Sequence, residues 1–330
     1  LQSGSRFNEA HKNFNTLNHL PTPKRGYFIG GIFICLLGAV CFSTKAIFVK
    51  MAYRDTTVDV ATLLALRMIF SLPFFAISAF TFSNQKENIR FNGKQWLSVA
   101  LIGCLGYYIS SLLDFSGLQY VSAGIERLIL FVYPTLVLVM SALLFKDKIT
   151  LRQWTAVFIT YTGLTLAFVS EIRLQTTQSE HFYLGSALIL ACAFTYAGYI
   201  VGSGKLIPLI GAAKFNSYAM SFASVAVLIH FYAVSNQSLL HLDSTVYLYS
   251  FLMAILSTVI PSYLVTEGIK RIGSNNAAIA GSIGPVSTIF QAYIFLGESV
   301  SAIQIVGTLL ILVGVLLISI KRSASVVISN

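Results

Sequence analysis

The sequence predicts an all-α integral membrane protein of ten transmembrane helices, built as two inverted five-helix repeats. Three observations predict this: the hydropathy of the chain, the placement of its basic residues, and a weak internal repeat displaced by 151 residues. Of 330 residues, 56% are hydrophobic and 10% charged, with a mean hydropathy of +0.77. An ordinary soluble domain carries roughly 25% charged residues. The balance excludes a conventional soluble enzyme, a disordered chain and a secreted disulfide scaffold.

Ten stretches of 18 or more residues lack Asp, Glu, Lys and Arg: 26–44, 68–85, 95–113, 128–145, 153–170, 182–204, 215–242, 244–266, 272–297 and 299–320. A hydrocarbon core of about 30 Å takes about 20 apolar residues per helix, so these are read as spans 1 to 10. Residues 1–25 ahead of them are polar and are expected to form a disordered cytoplasmic tail. Span 1 has no small-residue cleavage site behind it and is read as a retained helix rather than a signal peptide. With the N-terminus inside, 16 Lys and Arg fall in inside segments, 3 in outside segments (Lys50, Arg54, Arg173) and 3 within spans (Lys45, Arg67, Arg127). This bias predicts cytoplasmic termini. The formal charge of +10 is therefore an orientation signal, not a nucleic-acid footprint. The expected location is a plasma membrane, the inner membrane of a bacterium.

The repeat lays 117–169 over 268–320 without a gap. Gly117 meets Gly268, Pro134 meets Pro285, Gln153 meets Gln304, Gly163 meets Gly314 and Leu166 meets Leu317. Each copy carries a mid-span proline, an acidic turn (Asp147, Glu298) and a Thr/Ser-x-x-Gln box (Thr150 to Gln153, Ser301 to Gln304) that caps a helix N-terminus. The copies are 26–170 and 182–322. Five spans per copy is an odd number, so the second copy must be upside down. The charges agree: Lys146, Lys148 and Arg152 align with Gly297, Ser299 and Ile303, whereas Gln119 and Tyr120 align with Lys270 and Arg271. Inverted repeats are a carrier architecture, with the site near the midplane between the copies.

Leu66-Arg67 in span 2, Pro134 and Pro285 in spans 4 and 9, the run Leu296-Gly297-Glu298-Ser299-Val300 and the stretch from Gln304 to Gly314 resemble the drug/metabolite transporter superfamily, in particular its EamA-type members. The resemblance covers about 27–320. The first copy departs from the Gly-Glu turn with Lys146-Asp147. The resemblance implies a secondary carrier, usually one exporting small polar metabolites such as amino acids, without a cofactor.

Charges inside a span are costly, about 2.5–3.5 kcal/mol each at mid-helix, and are functional candidates. Arg67 stands about 13 Å below the outer surface at 1.5 Å per residue, too deep to snorkel. It serves a substrate or gate, or pairs structurally with Asp114 or Glu126. Lys45, Asp114, Glu126 and Arg127 fall at the outer ends of their spans, so the five charges are expected to form one outer cluster. Such a cluster suits a zwitterionic or anionic substrate, or a gate that opens when the carrier turns. The alternatives are a snorkelling Lys45 and a Glu126 that favours the positive end of its own helix. Tyr133 shares a helix face with Glu126. Pro134 removes a backbone donor, and its counterpart Pro285 follows Gly281 and Gly284. Paired Pro/Gly interruptions point to a carrier site or hinge; a packing kink is the alternative. Tyr263, Ser282 and Gln291 complete the candidates, Gln291 as a substrate contact or an interhelical bond. Glu267 beside Lys270 and Arg271 reads as a surface ion pair.

No cofactor or metal is expected. Cys35, Cys41, Cys104 and Cys192 have neither metal-ligand spacing nor a disulfide pattern and read as packing residues. Gly202-Ser203-Gly204-Lys205 is not a phosphate loop, because position 199 is Tyr and position 206 is Leu. His230 is read as interfacial, with a proton relay as the alternative. The expected partners are a small-molecule substrate and membrane lipid, with no nucleic acid, and the chain acts as a monomer or homodimer. The leading function is export of a small polar metabolite by alternating access. The alternatives are import, broad drug extrusion, or a non-transporting membrane protein. An enzyme should show a nucleophile and base at helical spacing, and none is found; an assembly subunit should show long polar loops or tails, and these are absent beyond residues 1–25.

Overall fold

The computed structural model of the protein describes residues 25–83, 91–146, 148–178, 181–235, 237–297 and 302–319. Most of the polar tail, the acidic turn residues Asp147 and Glu298, and the second cap residue Ser301 lie outside them. The described residues are mostly helical, without strands. The helices are α1 (Arg25–Asp55), α2 (Val60–Ser83), α3 (Gly93–Gly103), α4 (Ser110–Leu118), α5 (Ala123–Leu130), α6 (Tyr133–Phe145), α7 (Leu151–Gln178), α8 (Phe182–Ile210), α9 (Ala212–Val234), α10 (Ser244–Ala254), α11 (Ile260–Ala280), α12 (Ile283–Leu296) and α13 (Ala302–Ser319). Among the described residues six stretches are long and apolar enough to cross a membrane: Gly26–Asp55, Val60–Thr81, Gly93–Leu118, Phe182–Ile210, Ala212–Val234 and Ser244–Ala280. Tyr133–Phe145, Ile283–Leu296 and Ile305–Gly314 are shorter apolar helices. The chain is a multi-pass integral membrane protein.

Its starts and stops follow local chemistry. Asn92 and Gln95 cap α3 reciprocally, at 2.8 and 2.9 Å. At α7 the expected box is present: the Gln153 amide N–H donates to Thr150 Oγ1 at 3.3 Å, and Gln153 Oε1 accepts from the Thr150 amide at 3.0 Å. Helix α1 runs eleven residues past the expected end at 44, and α2 begins eight before the expected start at 68. Lys45, Lys50 and Arg67 thus lie inside helices, where partners from other elements meet two of them and Phe115 packs under the third. Helix α9 stops at Val234 rather than 242, because Ser235 turns to donate to Asp59 Oδ2 at 2.8 Å.

Two backbone irregularities occur twice. A π-helical segment Cys104–Ile109 joins α3 to α4, and another, Ile255–Val259, joins α10 to α11. Their first residues are 151 apart. The helix broken at Phe131–Val132 between α5 and α6 has a counterpart at Gly281–Ser282 between α11 and α12. Each break is tightened by an i→i−3 bond, Val132 N–H to Ile129 O (3.1 Å) and Ser282 N–H to Ile279 O (3.0 Å). Within α11 the chain also turns at Gly273, whose φ of 78° favours glycine.

The most extensive contacts join an element before residue 178 to one after 182: α7 with α13, α1 with α11 and α12, α2 with α9, and α8 with α4 and α6. Glycines make the α7–α13 approach possible. A Cβ on Gly163 would enter the Gly307 carbonyl, and one on Gly314 would enter Thr160. Gly198 and Gly202 likewise seat Leu105 and Ile102.

Candidate functional site

Helix direction gathers the charges. Lys45 is ten residues before the end of α1, Arg67 seven after the start of α2, Asp114 four before the end of α4, and Glu126 three after the start of α5. All four helix ends lie at one end of the bundle. The tight turn between α4 and α5 is held by Lys50, whose ammonium donates to the Leu118 and Val121 carbonyls at 3.0 Å each. These are the orphan acceptors that a helix C-terminus leaves. Ser122 then caps α5 by accepting from the Ile125 amide.

The charges are buried and joined. Lys45 Nζ lies 2.6 Å from Asp114 Oδ2 and 4.0 Å from Glu126 Oε1. Arg127 Nε lies 3.0 Å from Glu126 Oε2. Both carboxylates are at 0% exposure, so neither is relieved by water. Desolvation of such groups costs several kcal/mol per ion and is offset only by close partners. Lys45 also sits over the Phe42 ring, at 4.8 Å from its centroid. Arg67 lies in the same region with its guanidinium 4.9 Å from the Phe115 centroid.

The two helix breaks meet beside this cluster. Tyr133 opens α6 and reaches across to donate to the Ala278 carbonyl at 3.0 Å. Its hydroxyl occupies the space a Cβ on Gly281 would need, so a larger residue there would have to displace Tyr133. Ser43 of α1 lies 3.0 Å from the Gly284 carbonyl in the second break. Between the breaks are two small cavities of about 40 and 30 Å³. Ala39, Phe42, Tyr133, Tyr196 and Gly281 line both, and Arg127, Gly284 and Pro285 line the larger. The Phe42 and Tyr196 rings stack at 6.0 Å, and Tyr133 meets Tyr196 edge-on at 5.3 Å.

The structure therefore brings together Lys45, Asp114, Glu126 and Arg127, with Arg67 beside them, and joins Tyr133, Gly281, Gly284 and Pro285 around the cavities. Pro134 lies in the first turn of α6. Ser282 is in the second break, buried and with its hydroxyl without a hydrogen-bond partner among the described residues. Gln291 donates to the Val40 carbonyl (3.3 Å) and to Ser287 Oγ (2.7 Å), which makes it an interhelical bond between α12 and α1. Tyr263 is remote from the charges. It meets Ser217 Oγ at 3.0 Å towards the opposite end of the bundle. Glu267 pairs with Arg271 at 2.8 Å and Lys270 at 3.6 Å on a part-exposed face. Sequence reasoning missed Phe42, Ser43, Lys50 and Tyr196. With 25 Phe and 16 Tyr in the chain, composition selects none of the rings. The available signal was helical spacing: Tyr196 and Tyr199 are neighbours on α8.

Comparison with known proteins agrees with this architecture. The EamA-like transporter family model matches twice, at residues 29–169 and 183–320. The uncharacterized transporter YcbK of Bacillus subtilis is 34% identical over 285 residues, 84% of this chain and 88% of that protein. A second Bacillus subtilis protein, the uncharacterized transporter YyaM, is 24% identical over 287 residues, 86% and 92% of the two chains. A solved crystal structure covering 87% of this chain and 97% of its own superposes with a TM-score of 0.69 at 15% identity, which shows a shared fold. The chain belongs to the EamA-like transporter family of the drug/metabolite transporter superfamily, and is a membrane transporter rather than an enzyme.

Proposed function

We propose that the protein is a secondary carrier that exports a small polar metabolite, amino-acid-like or related, by alternating access. The observation that carries this reading is a buried charge cluster, one of whose members, Arg127, lines a cavity between two helix breaks. Arg127 would meet a negative group of the substrate. Phe42, Tyr133 and Tyr196 would enclose the remainder. The cavities are far below the roughly 300 Å³ of a usual ligand pocket, so loading requires the breaks to separate. Pro134, Gly281, Gly284 and Pro285 would act as hinges. Lys45, Asp114 and Glu126 would form the gate on the outer side, and Tyr263 with Ser217 a closure at the other end. Ser282 offers a free hydroxyl within the second hinge, and Gln291 holds α12 against α1.

The reading includes ten spans in two inverted copies, 26–170 and 182–322. It is supported by the π segments and helix breaks that recur about 151 residues apart, and by the family model matching twice. The 16:3 basic bias supports cytoplasmic termini in a plasma membrane, the inner membrane of a bacterium. One chain supplies the whole cluster and lines both cavities, so the site is compatible with a monomer or a homodimer. The test is untargeted mass spectrometry of the medium from cells overproducing the wild type or Arg127→Ala. Export predicts a metabolite enriched outside with the wild type alone, at least about tenfold (about 1.4 kcal/mol) above a variant that inserts normally. Identical media would contradict it.

A further inference from the structure

The buried charges do not balance. Within the cluster, with both carboxyl groups ionised, Lys45, Arg67 and Arg127 stand against Asp114 and Glu126, one positive charge in excess. Lys45 engages Asp114 at 2.6 Å, and Arg127 engages Glu126 at 3.0 Å. Arg67 is left over. It is 2% exposed, and its Nε and Nη2 have no hydrogen-bond partner among the described residues. A guanidinium cannot shed its proton to escape burial, and the Phe115 face satisfies none of its N–H donors. Nε and Nη2 form one edge of the guanidinium fork, the edge that holds an anion by two parallel bonds.

We propose that Arg67 is a binding site for one monovalent anion, either a halide-sized inorganic ion or a terminal carboxylate. Where the anion is the substrate's own carboxylate, the site rests on the transport reading above, replaces Arg127 by Arg67 as the group that meets it, and narrows the substrate to a monoanion. Where it is inorganic, the site stands independently as the counter-ion of the buried cluster. Either way, occupancy brings the cluster to neutrality.

The full chain in detergent tests this by thermal unfolding during titration with sodium chloride or sodium acetate, with sodium gluconate as the bulky control. The expected result is a saturable rise in Tm with chloride, acetate or both, absent in Arg67→Leu and retained in Arg54→Gln, a change at an exposed residue. Response to chloride alone assigns an inorganic ion; response to acetate assigns a carboxylate site. Should Arg67→Leu not fold, Arg67→Lys keeps the charge without the fork, and its apparent affinity should fall about tenfold. No saturable rise in the wild type, or an equal rise in the Arg67 variants, overturns the site. An Arg67-dependent rise in a protein that exports nothing overturns the transport reading and leaves the anion site standing. Export without the rise overturns the anion site alone.

Discussion

Around the break at Phe131–Val132 the chain presents Glu126, Arg127 and Tyr133; around the break at Gly281–Ser282 the same displacement of 151 presents Ala277, Ala278 and Gly284. The backbones of the two breaks are alike, down to the i→i−3 bond that tightens each. The side chains divide the work. The first break holds ionic groups that need partners from α1 and α4. The second holds small residues whose vacant volume receives the Tyr133 ring and hydroxyl. Similar backbone breaks can therefore carry a buried charge cluster at one and a socket at the other, because charge is costly to bury twice and a socket needs only absent atoms.

The largest effect should come from unbalancing the charged break. Asp114→Leu alone leaves the Lys45 ammonium buried without its closest partner and should cost about 3–5 kcal/mol, read as a large fall in Tm. Lys45→Leu combined with Asp114→Leu should recover most of that loss, since the charges leave together. Breaking the socket should matter less. Gly281→Ala places a methyl group where the Tyr133 hydroxyl lies and should destabilise by about 1–3 kcal/mol; adding Tyr133→Phe should relieve part of it. The smallest effect on stability should come from the prolines. Pro134→Ala and Pro285→Ala restore a backbone donor beside each break and should slow turnover several-fold with little change in substrate affinity. A pure loss of affinity in a transport assay would argue against hinges.

Much of this was legible in the sequence, and the exceptions share a cause. Charge-free windows located the apolar stretches but cut α1 at 44 and delayed α2 to 68, because a window treats Lys45 and Arg67 as boundaries. Both are carried inside helices by partners more than 45 residues away along the chain, Asp114 for Lys45 and Phe115 for Arg67. That pairing is a property of the fold and is invisible to local hydropathy. The box Thr150 to Gln153 was readable because its bonds are local. Pro134 marked the first break because it removes a backbone donor, and Gly281 the second because it leaves room for the Tyr133 hydroxyl. The π segments carry no such marker, and their residues, Cys104–Ile109 and Ile255–Val259, are ordinary apolar sequence. Phe42 and Tyr196 were missed because one aromatic among many is distinguished only by what it faces.

If, as proposed, the Lys45–Asp114–Glu126 cluster closes one route to the cavities between the breaks, removing it must expose them. A direct measurement is the rate at which a membrane-impermeant maleimide labels Ala39→Cys, a cavity-lining position, with the four native cysteines replaced by alanine. The rate would be compared in the otherwise unchanged protein and in the Lys45→Leu, Asp114→Leu background. Labelling should be faster in the ungated background, from one face of the membrane only. Equal rates in the two backgrounds, or acceleration from both faces, would contradict it.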